Sequence, residues 1–215
     1  MSTETDTAFE RVLAGFRQRI ETEDARMRVL KHNKADMNEQ RDSLLLPVGE
    51  EVAQLLVDLA VGLRARTIFE LGSSYGYSTL FLAEAARRTG GKLVSFEIHE
   101  AKQAYAREQI AAAGLAAQVE WRLGDAVALL EAEKGPVDLV LLDLWKDLYV
   151  PCLDRVYPLL SAHGVIVADN MLYPEFSRPD ALVYRSAVRA KPGMQAVLLP
   201  IGQGIDLACR SPAGN

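Results

Sequence analysis

Cysteine is scarce in this chain. Cys152 and Cys209 are the only two in 215 residues, far apart and without C-x-x-C spacing, which excludes a disulfide framework and a cysteine-type structural zinc site. Both read as core thiols. His32, His99 and His163 are too scattered to form a metal cluster of their own. Long apolar runs are also missing: no stretch of about 18 apolar residues is present, so no membrane span is expected. A charged-then-apolar leader with a small-residue cleavage site is absent as well, which makes a cytoplasmic location the expectation. Nor is there an excess of positive charge. With 24 Lys and Arg against 29 Asp and Glu, the net charge is −5, and nothing suggests the clustered cations that nucleic-acid binding needs. The local group Arg26, Arg28, Lys31 and Lys34 sits among acids and reads as a solvated helix face.

What is present is a chain long enough for one domain with a sizeable core, 49% of it hydrophobic. Phe9, Val12, Leu13, Phe16 and Ile20 form a helical stripe, predicting a helix from Ala8 to about Val29. A polar stretch, Asn33–Asp42, and a short apolar run, Leu44–Val48, broken by Pro47, lead to a second helix over Gly49–Leu63. Residues 1–63 thus read as a helical cap and access segment, and 67–215 as the core of the same domain.

From Thr67 strands and helices alternate. Strands are predicted at Thr67–Leu71, Lys92–Glu97, Gln118–Leu123, Val137–Asp143 and Gly164–Asp169. Helices are predicted near Tyr77–Arg88, Glu100–Ala113, Asp125–Glu133 and Leu148–Leu160. Spacing of this kind calls for right-handed βαβ crossovers and a doubly wound, parallel α/β sheet. A last helix, Pro179–Ala190, precedes two strands, Gln195–Pro200 and Ile205–Arg210, joined by Ile201–Gly204 as a tight antiparallel return.

In such a sheet the ligand crevice lies outside the carboxyl ends of the strands. Two buried-type strands, VDLVLLD and GVIVADN, end in acids there, so Asp143, Asp169 and Asn170 are three hard oxygen donors suited to Mg²⁺ or Ca²⁺. The alternative is a turn at Asp169–Asn170, with Asp143 bonded to another ligand. The first strand runs into Glu70-Leu-Gly72-Ser-Ser-Tyr75-Gly76-Tyr77-Ser78. Gly72 and Gly76 allow a close backbone approach, and the following helix start favours electron-rich ligand atoms. The G-x-x-x-G spacing lacks the dinucleotide fingerprint, which favours a smaller nucleoside ligand and disfavours a dehydrogenase. Glu97 stands 25 positions after Gly72, either as a strand-end acid or as the acceptor for both ribose hydroxyls. Gly124 and Asp125 would lie near the base, Asp125 doubling as a helix N-cap. Tyr75 and Tyr77 either contact the ligand or pack the loop, and Ser78 either donates to the ligand or caps the helix.

The segments FELGSSYGYS (Phe69–Ser78), FE (Phe96–Glu97), LLDLWKDLY (Leu141–Tyr149) and ADN (Ala168–Asn170) resemble the class I S-adenosylmethionine-dependent methyltransferases, and within them the metal-dependent catechol and caffeoyl-CoA O-methyltransferases. The resemblance covers roughly Leu46 to Pro174. It implies a seven-stranded, mostly parallel Rossmann-like sheet with one antiparallel strand and N-terminal helices. It also implies S-adenosylmethionine over the first loop, contacted by Val48, Glu70, Gly72, Tyr75, Gly76, Ser78, Glu97, Gly124, Asp125, Asp143 and Trp145. A divalent cation, Mg²⁺ or alternatively Ca²⁺ or Mn²⁺, is implied on Asp143, Asp169 and Asn170. By the same likeness Lys146 is the general base, with an ion pair to Asp147 or another acid as the alternative. Leu46, Trp145, Lys146, Asn170 and Pro174 line the substrate slot, and Asp206 stands where the catechol enzymes carry a late Glu. The expected acceptor is a phenolic small molecule with vicinal hydroxyls, and the expected assembly a homodimer through the N-terminal helices. Two other readings remain: a metal-independent methyltransferase acting on a non-catechol acceptor, and a nucleoside-binding module without chemistry.

Overall fold

The computed structural model describes residues 4–30, 43–175 and 178–211. The polar stretch 33–42, His32 and the side chains of Arg26, Arg28, Lys31 and Lys34 lie outside that description. The element order is α1 (Glu4–Leu30), α2 (Glu50–Leu63), β1 (Thr67–Leu71), α3 (Tyr77–Thr89), β2 (Lys92–Glu97), α4 (Glu100–Ala112), β3 (Val119–Leu123), α5 (Ala126–Leu129), β4 (Val137–Leu142), α6 (Tyr149–Val156), β5 (Leu160–Ala168), α7 (Arg178–Ala190), β6 (Met194–Leu199) and β7 (Ile205–Arg210).

Seven strands form one sheet in the order β3-β2-β1-β4-β5-β7-β6, and β7 alone runs antiparallel to its neighbours. The expected α/β, doubly wound, seven-stranded Rossmann-like sheet is therefore present. Side-chain alternation sorts the core into two layers. Ile68, Leu93, Leu139, Leu141, Val165 and Val167 face one side, where Phe16 of α1, Leu56 of α2, Leu80 of α3 and Ile110 of α4 cover them. Phe69, Phe96, Val140, Leu142 and Ile166 face the other, against Leu153 of α6 and Val188 of α7. The order reverses between β1 and β4, which makes their carboxyl ends the natural crevice.

Element boundaries differ from the sequence expectation by four residues at four ends; α1 begins at Glu4, ahead of the expected Ala8. β5 starts at Leu160, four positions before the expected Gly164, because Leu160 pairs with Val137 across a register irregularity. Its extension through Ser161, Ala162 and His163 is largely outside the core and lacks an apolar signature. The helix expected over Asp125–Glu133 is only four α residues followed by a 3-10 turn, Leu130–Ala132. The one expected over Leu148–Leu160 is α only from Tyr149 to Val156, ending in a 3-10 turn that carries Pro158. Cys152 is buried as expected, and its thiol is pushed up to about 12 by burial. Cys209 is exposed, contrary to the core-thiol expectation. No helix among the described residues is long and apolar enough to cross a membrane.

Candidate active site

β1 ends at Leu71, and the chain turns through Gly72–Gly76 into α3. Gly72 has φ +94, and a Cβ there would lie 2.2 Å from the Asp143 carbonyl oxygen. At Gly76, with φ +93, a Cβ would meet the Ala106 Cβ of α4 at 2.8 Å. Glycine is thus demanded at both positions by close packing within the protein, a reason the sequence reading had assigned to ligand approach. The loop is stapled to β2: Gly72 and Ser73 N–H donate to the Phe96 carbonyl at 3.0 and 3.1 Å, and Ser74 N–H donates to Glu97 Oε2 at 2.8 Å.

Glu97 also accepts the N–H groups of Ile98 and His99 at Oε1, each at 2.9 Å, so its carboxylate organises the β1 and β2 loops. Gly124 N–H donates to the Glu97 carbonyl, bringing the third loop alongside. Asp125 caps α5 by accepting from Ala128 N–H at 2.8 Å. Glu70 is fully buried on β1. Its Oε1 accepts from Ser78 Oγ at 2.7 Å, and its Oε2 accepts from Thr79 Oγ1 at 2.7 Å and Ser95 Oγ at 2.6 Å. Burial nevertheless pushes its carboxyl up to about 7, with the charge of Asp143 adding to the shift. Ser78 accordingly spends its proton on Glu70 and does not cap α3, where Gly76 holds the N-cap position. Tyr75 turns its ring toward Tyr105, 5.6 Å between centroids, and Tyr77 packs in the core against Phe16. Val48 is likewise a core side chain, 5% exposed.

The second half of the site is built by β4 and β5. Leu142 and Ala168 are paired in register, and Asp169 N–H donates to the Leu142 carbonyl at 3.0 Å, so Asp143 and Asp169 leave adjacent strands side by side. Asp169 is 1% exposed, and its Oδ1 is buried without a hydrogen-bond partner. Burial, reinforced by the Asp143 charge, raises its carboxyl to about 8. Asn170 follows with φ +56. Leu46 and Ser74, both at φ +46, are two more of the four non-glycine residues with positive φ among those described. Strain of this kind gathers at functional sites, at roughly 1–3 kcal/mol each.

Lys146 lies in the 3-10 turn after β4. Its Nζ donates to the Tyr149 hydroxyl at 2.5 Å and to the Asp169 carbonyl at 2.8 Å. Tyr149 is wholly buried, and its hydroxyl lies 3.0 Å from the Leu142 carbonyl and 3.2 Å from that of Asp169. Leu46, Trp145 and Tyr173 are large apolar side chains left 38%, 50% and 54% exposed; Trp145 follows Asp143 by two positions, and Tyr173 and Pro174 follow Asn170 by three and four. Asp206 is placed differently. On β7 it pairs with Ala168 of β5, is 0% exposed, and accepts from Arg185 Nε of α7 at 2.8 Å.

The profile of the O-methyltransferase family matches residues 21–211. The chain belongs to that family. A catechol O-methyltransferase of Niastella koreensis is 35% identical over 123 residues, 55% of this chain and 54% of that enzyme, so the chain spans about half of that relative's length. Caffeoyl-CoA O-methyltransferase 5 of Nicotiana tabacum is 28% identical over 187 residues, 77% of each chain. Among solved structures, the O-methyltransferase TomG of Streptomyces achromogenes, in complex with SAM, superposes with a TM-score of 0.72 at 25% identity, covering 83% of this chain and 88% of that one.

Several residues that shape the site in this O-methyltransferase carry no local sequence signal. Thr79 and Ser95 reach Glu70 from separate elements, and Arg19 and Glu23 reach the access segment from α1. Tyr149 was inside the LLDLWKDLY motif, where its spacing of three from Lys146 on a helical turn was the available clue.

Proposed function

We propose that this O-methyltransferase moves the methyl group of S-adenosylmethionine onto one hydroxyl of a catechol-like small molecule, with a divalent cation, Mg²⁺ or alternatively Ca²⁺ or Mn²⁺, as template. The observation that carries the metal is Asp169 Oδ1, a buried carboxylate oxygen with no partner beside the second carboxylate of Asp143. Two carboxylates at such short range resist ionising together unless a cation joins them. Asn170 supplies the neutral third donor. Among the described residues no three His, Cys, Asp or Glu side chains cluster for a metal, so this reading takes the third donor from the Asn170 amide.

The cofactor reading rests on the Gly72–Gly76 loop, on Glu97 for the ribose, on Gly124 and Asp125 for the base, and on the Ser78–Glu70 pair, Val48, Asp143 and Trp145 around the amino-acid end. A SAM-bound relative of the same fold supports it. When bound, the cofactor supplies an activated sulfonium methyl group and the cation supplies positive charge beside the acceptor oxygens.

The chain's own part is alignment and proton removal. Trp145, Leu46 and Pro174 wall a flat slot, excluding water and holding the acceptor oxygen in line with the methyl group. Lys146 takes the hydroxyl proton. The Tyr149 hydroxyl and the Asp169 carbonyl hold Nζ in place, and the substrate proton ends on Nζ as the acceptor oxygen bonds the methyl carbon and the sulfur–methyl bond breaks, S-adenosylhomocysteine leaving. Asp206, paired with Arg185 of α7, fixes β7 beside Ala168, the residue before Asp169.

The test is methyl transfer from S-adenosylmethionine to a panel of catechols, including caffeate-type acids, with Mg²⁺ and with excess chelator. Activity abolished by chelator, restored by Mg²⁺ and lost in Asp169→Ala supports the proposal. Chelator-insensitive activity would overturn the metal and favour a metal-independent enzyme on another acceptor. Cofactor binding without turnover on any acceptor would favour a non-catalytic nucleoside-binding module.

A further inference from the structure

Among the described residues α1 takes part in three ion pairs, one of them Asp6 with Arg87 of α3, and the other two point to different places. Arg17 reaches Glu50 at the start of α2, an exposed pair at 45% and 56% side-chain exposure that, among the described residues, makes no bond to the access segment or the glycine loop. Arg19 and Glu23, one turn apart, form a more sheltered pair at 22% and 17% exposure, with Arg19 Nε 2.6 Å from Glu23 Oε1. Their remaining groups are committed to the site. Glu23 Oε2 accepts the Leu45 N–H at 2.6 Å, and Arg19 Nη2 donates to the Ser43 carbonyl at 3.3 Å. The Arg19 guanidinium lies over the loop tyrosine, 3.9 Å from the Tyr75 ring centroid and 5.2 Å from that of Tyr105.

Leu45 continues the connection. Its carbonyl accepts from Ser74 Oγ at 3.4 Å, and Ser74 N–H donates to Glu97 Oε2. Side chains and backbone thus link α1, the access segment, the glycine loop and the carboxylate at the end of β2. The link passes beside the two positive-φ residues, Leu46 and Ser74, whose unfavourable backbone needs such support. We propose that Arg19 and Glu23 are positioning residues of the cofactor site, holding the access segment and the Gly72–Gly76 loop in the conformation that binds the S-adenosyl group. This rests on the cofactor reading given above.

The expected size follows from population. If losing the clamp leaves about one molecule in ten with the segment in place, apparent affinity falls about tenfold. Charge-assisted bonds to a backbone N–H in a sheltered position are strong enough to exert that control.

The full-length protein, free of acceptor and added metal, is titrated with S-adenosylhomocysteine by calorimetry. Arg19→Ala and Glu23→Ala are each expected to raise Kd about tenfold, with kcat at saturating cofactor within about twofold of wild type. Arg17→Ala, on the same helix, should leave Kd unchanged. Arg19→Lys keeps the charge but loses the guanidinium over the ring and the forked donors, and should fall between. Glu23→Gln and Arg19→Lys carry the test should the alanine variants fail to fold, as judged by circular dichroism. Wild-type Kd in the Arg19 and Glu23 variants would overturn the clamp, as would equal weakening in Arg17→Ala. A wild-type protein that does not bind S-adenosylhomocysteine overturns the cofactor reading and the clamp with it. Wild-type binding with unaffected variants overturns the clamp alone.

Discussion

Glu70 should make this protein less stable as the pH rises toward neutrality. Its carboxyl titrates at about 7 in the folded chain against an ordinary value of 4.5, chiefly because it is buried. Between those values the folded state holds a proton that the unfolded state has released. Stability therefore falls through that window and levels off above pH 7. A shift of this size amounts to about 3 kcal/mol in full, most of it lost between pH 5 and pH 8. Glu70→Gln removes the titration and keeps a side chain of the same shape, and the hydroxyls of Ser78, Thr79 and Ser95 can rotate to meet it. The assay is urea unfolding of both proteins at pH 5 and pH 8. The variant's stability relative to wild type should improve by about 2–3 kcal/mol across that range, even if it is the less stable protein at pH 5. Asp169, also raised, adds a loss of the same sign in both proteins and cancels in the comparison. A relative stability that is flat to within about 0.5 kcal/mol would refute the argument, because the carboxyl would then be equally ionised in both states.

Lys146→Met should lower kcat about 10²–10⁴-fold while S-adenosylhomocysteine affinity, read by calorimetry, stays near wild type. Gly72→Ala places a Cβ 2.2 Å from the Asp143 carbonyl oxygen in a positive-φ backbone, so thermal unfolding should drop by several degrees or soluble protein should be lost. We further propose a homodimer through the N-terminal helices; light scattering at assay concentration should give twice 23.6 kDa, and a monomeric mass would reject it.

The sheet was legible because its strands are the strongest apolar signals in the chain. VDLVLLD and GVIVADN could only fill buried parallel strands, and their terminal acids then had to stand at the carboxyl edge. The start of β5 was not legible, since only Leu160 pairs there, with Val137, and Ser161 to His163 fall in the register irregularity without burying an apolar face. Cys209 was misread because an edge-proximal strand can turn a small thiol outward as readily as inward. Within the site, residue types near the motifs could be named but not their partners. Ser78 looked like a cap or a cofactor donor, and only the fold puts Glu70 beneath it, eight residues back and on another element. Arg19 and Glu23 meet Ser43 and Leu45 across the segment between α1 and α2, a contact that no periodicity encodes.

Asp143 links the two titrating carboxyls. Its charge raises Asp169 after burial does, and it adds to the rise at Glu70 and at the Tyr149 hydroxyl. The anionic edge of β4 therefore keeps several buried acids from ionising at once, a situation that costs stability near neutral pH and that a bound cation relieves. Saturating Mg²⁺ should then flatten the falling limb of stability against pH, because it lets Asp169 ionise and shields Glu70 from Asp143. The flattening should be larger in wild type than in Asp169→Asn, read from urea midpoints at pH 6 and pH 8. Equal slopes with and without Mg²⁺ would mean that no cation enters between Asp143 and Asp169, and the metal would have to be abandoned independently of any activity assay.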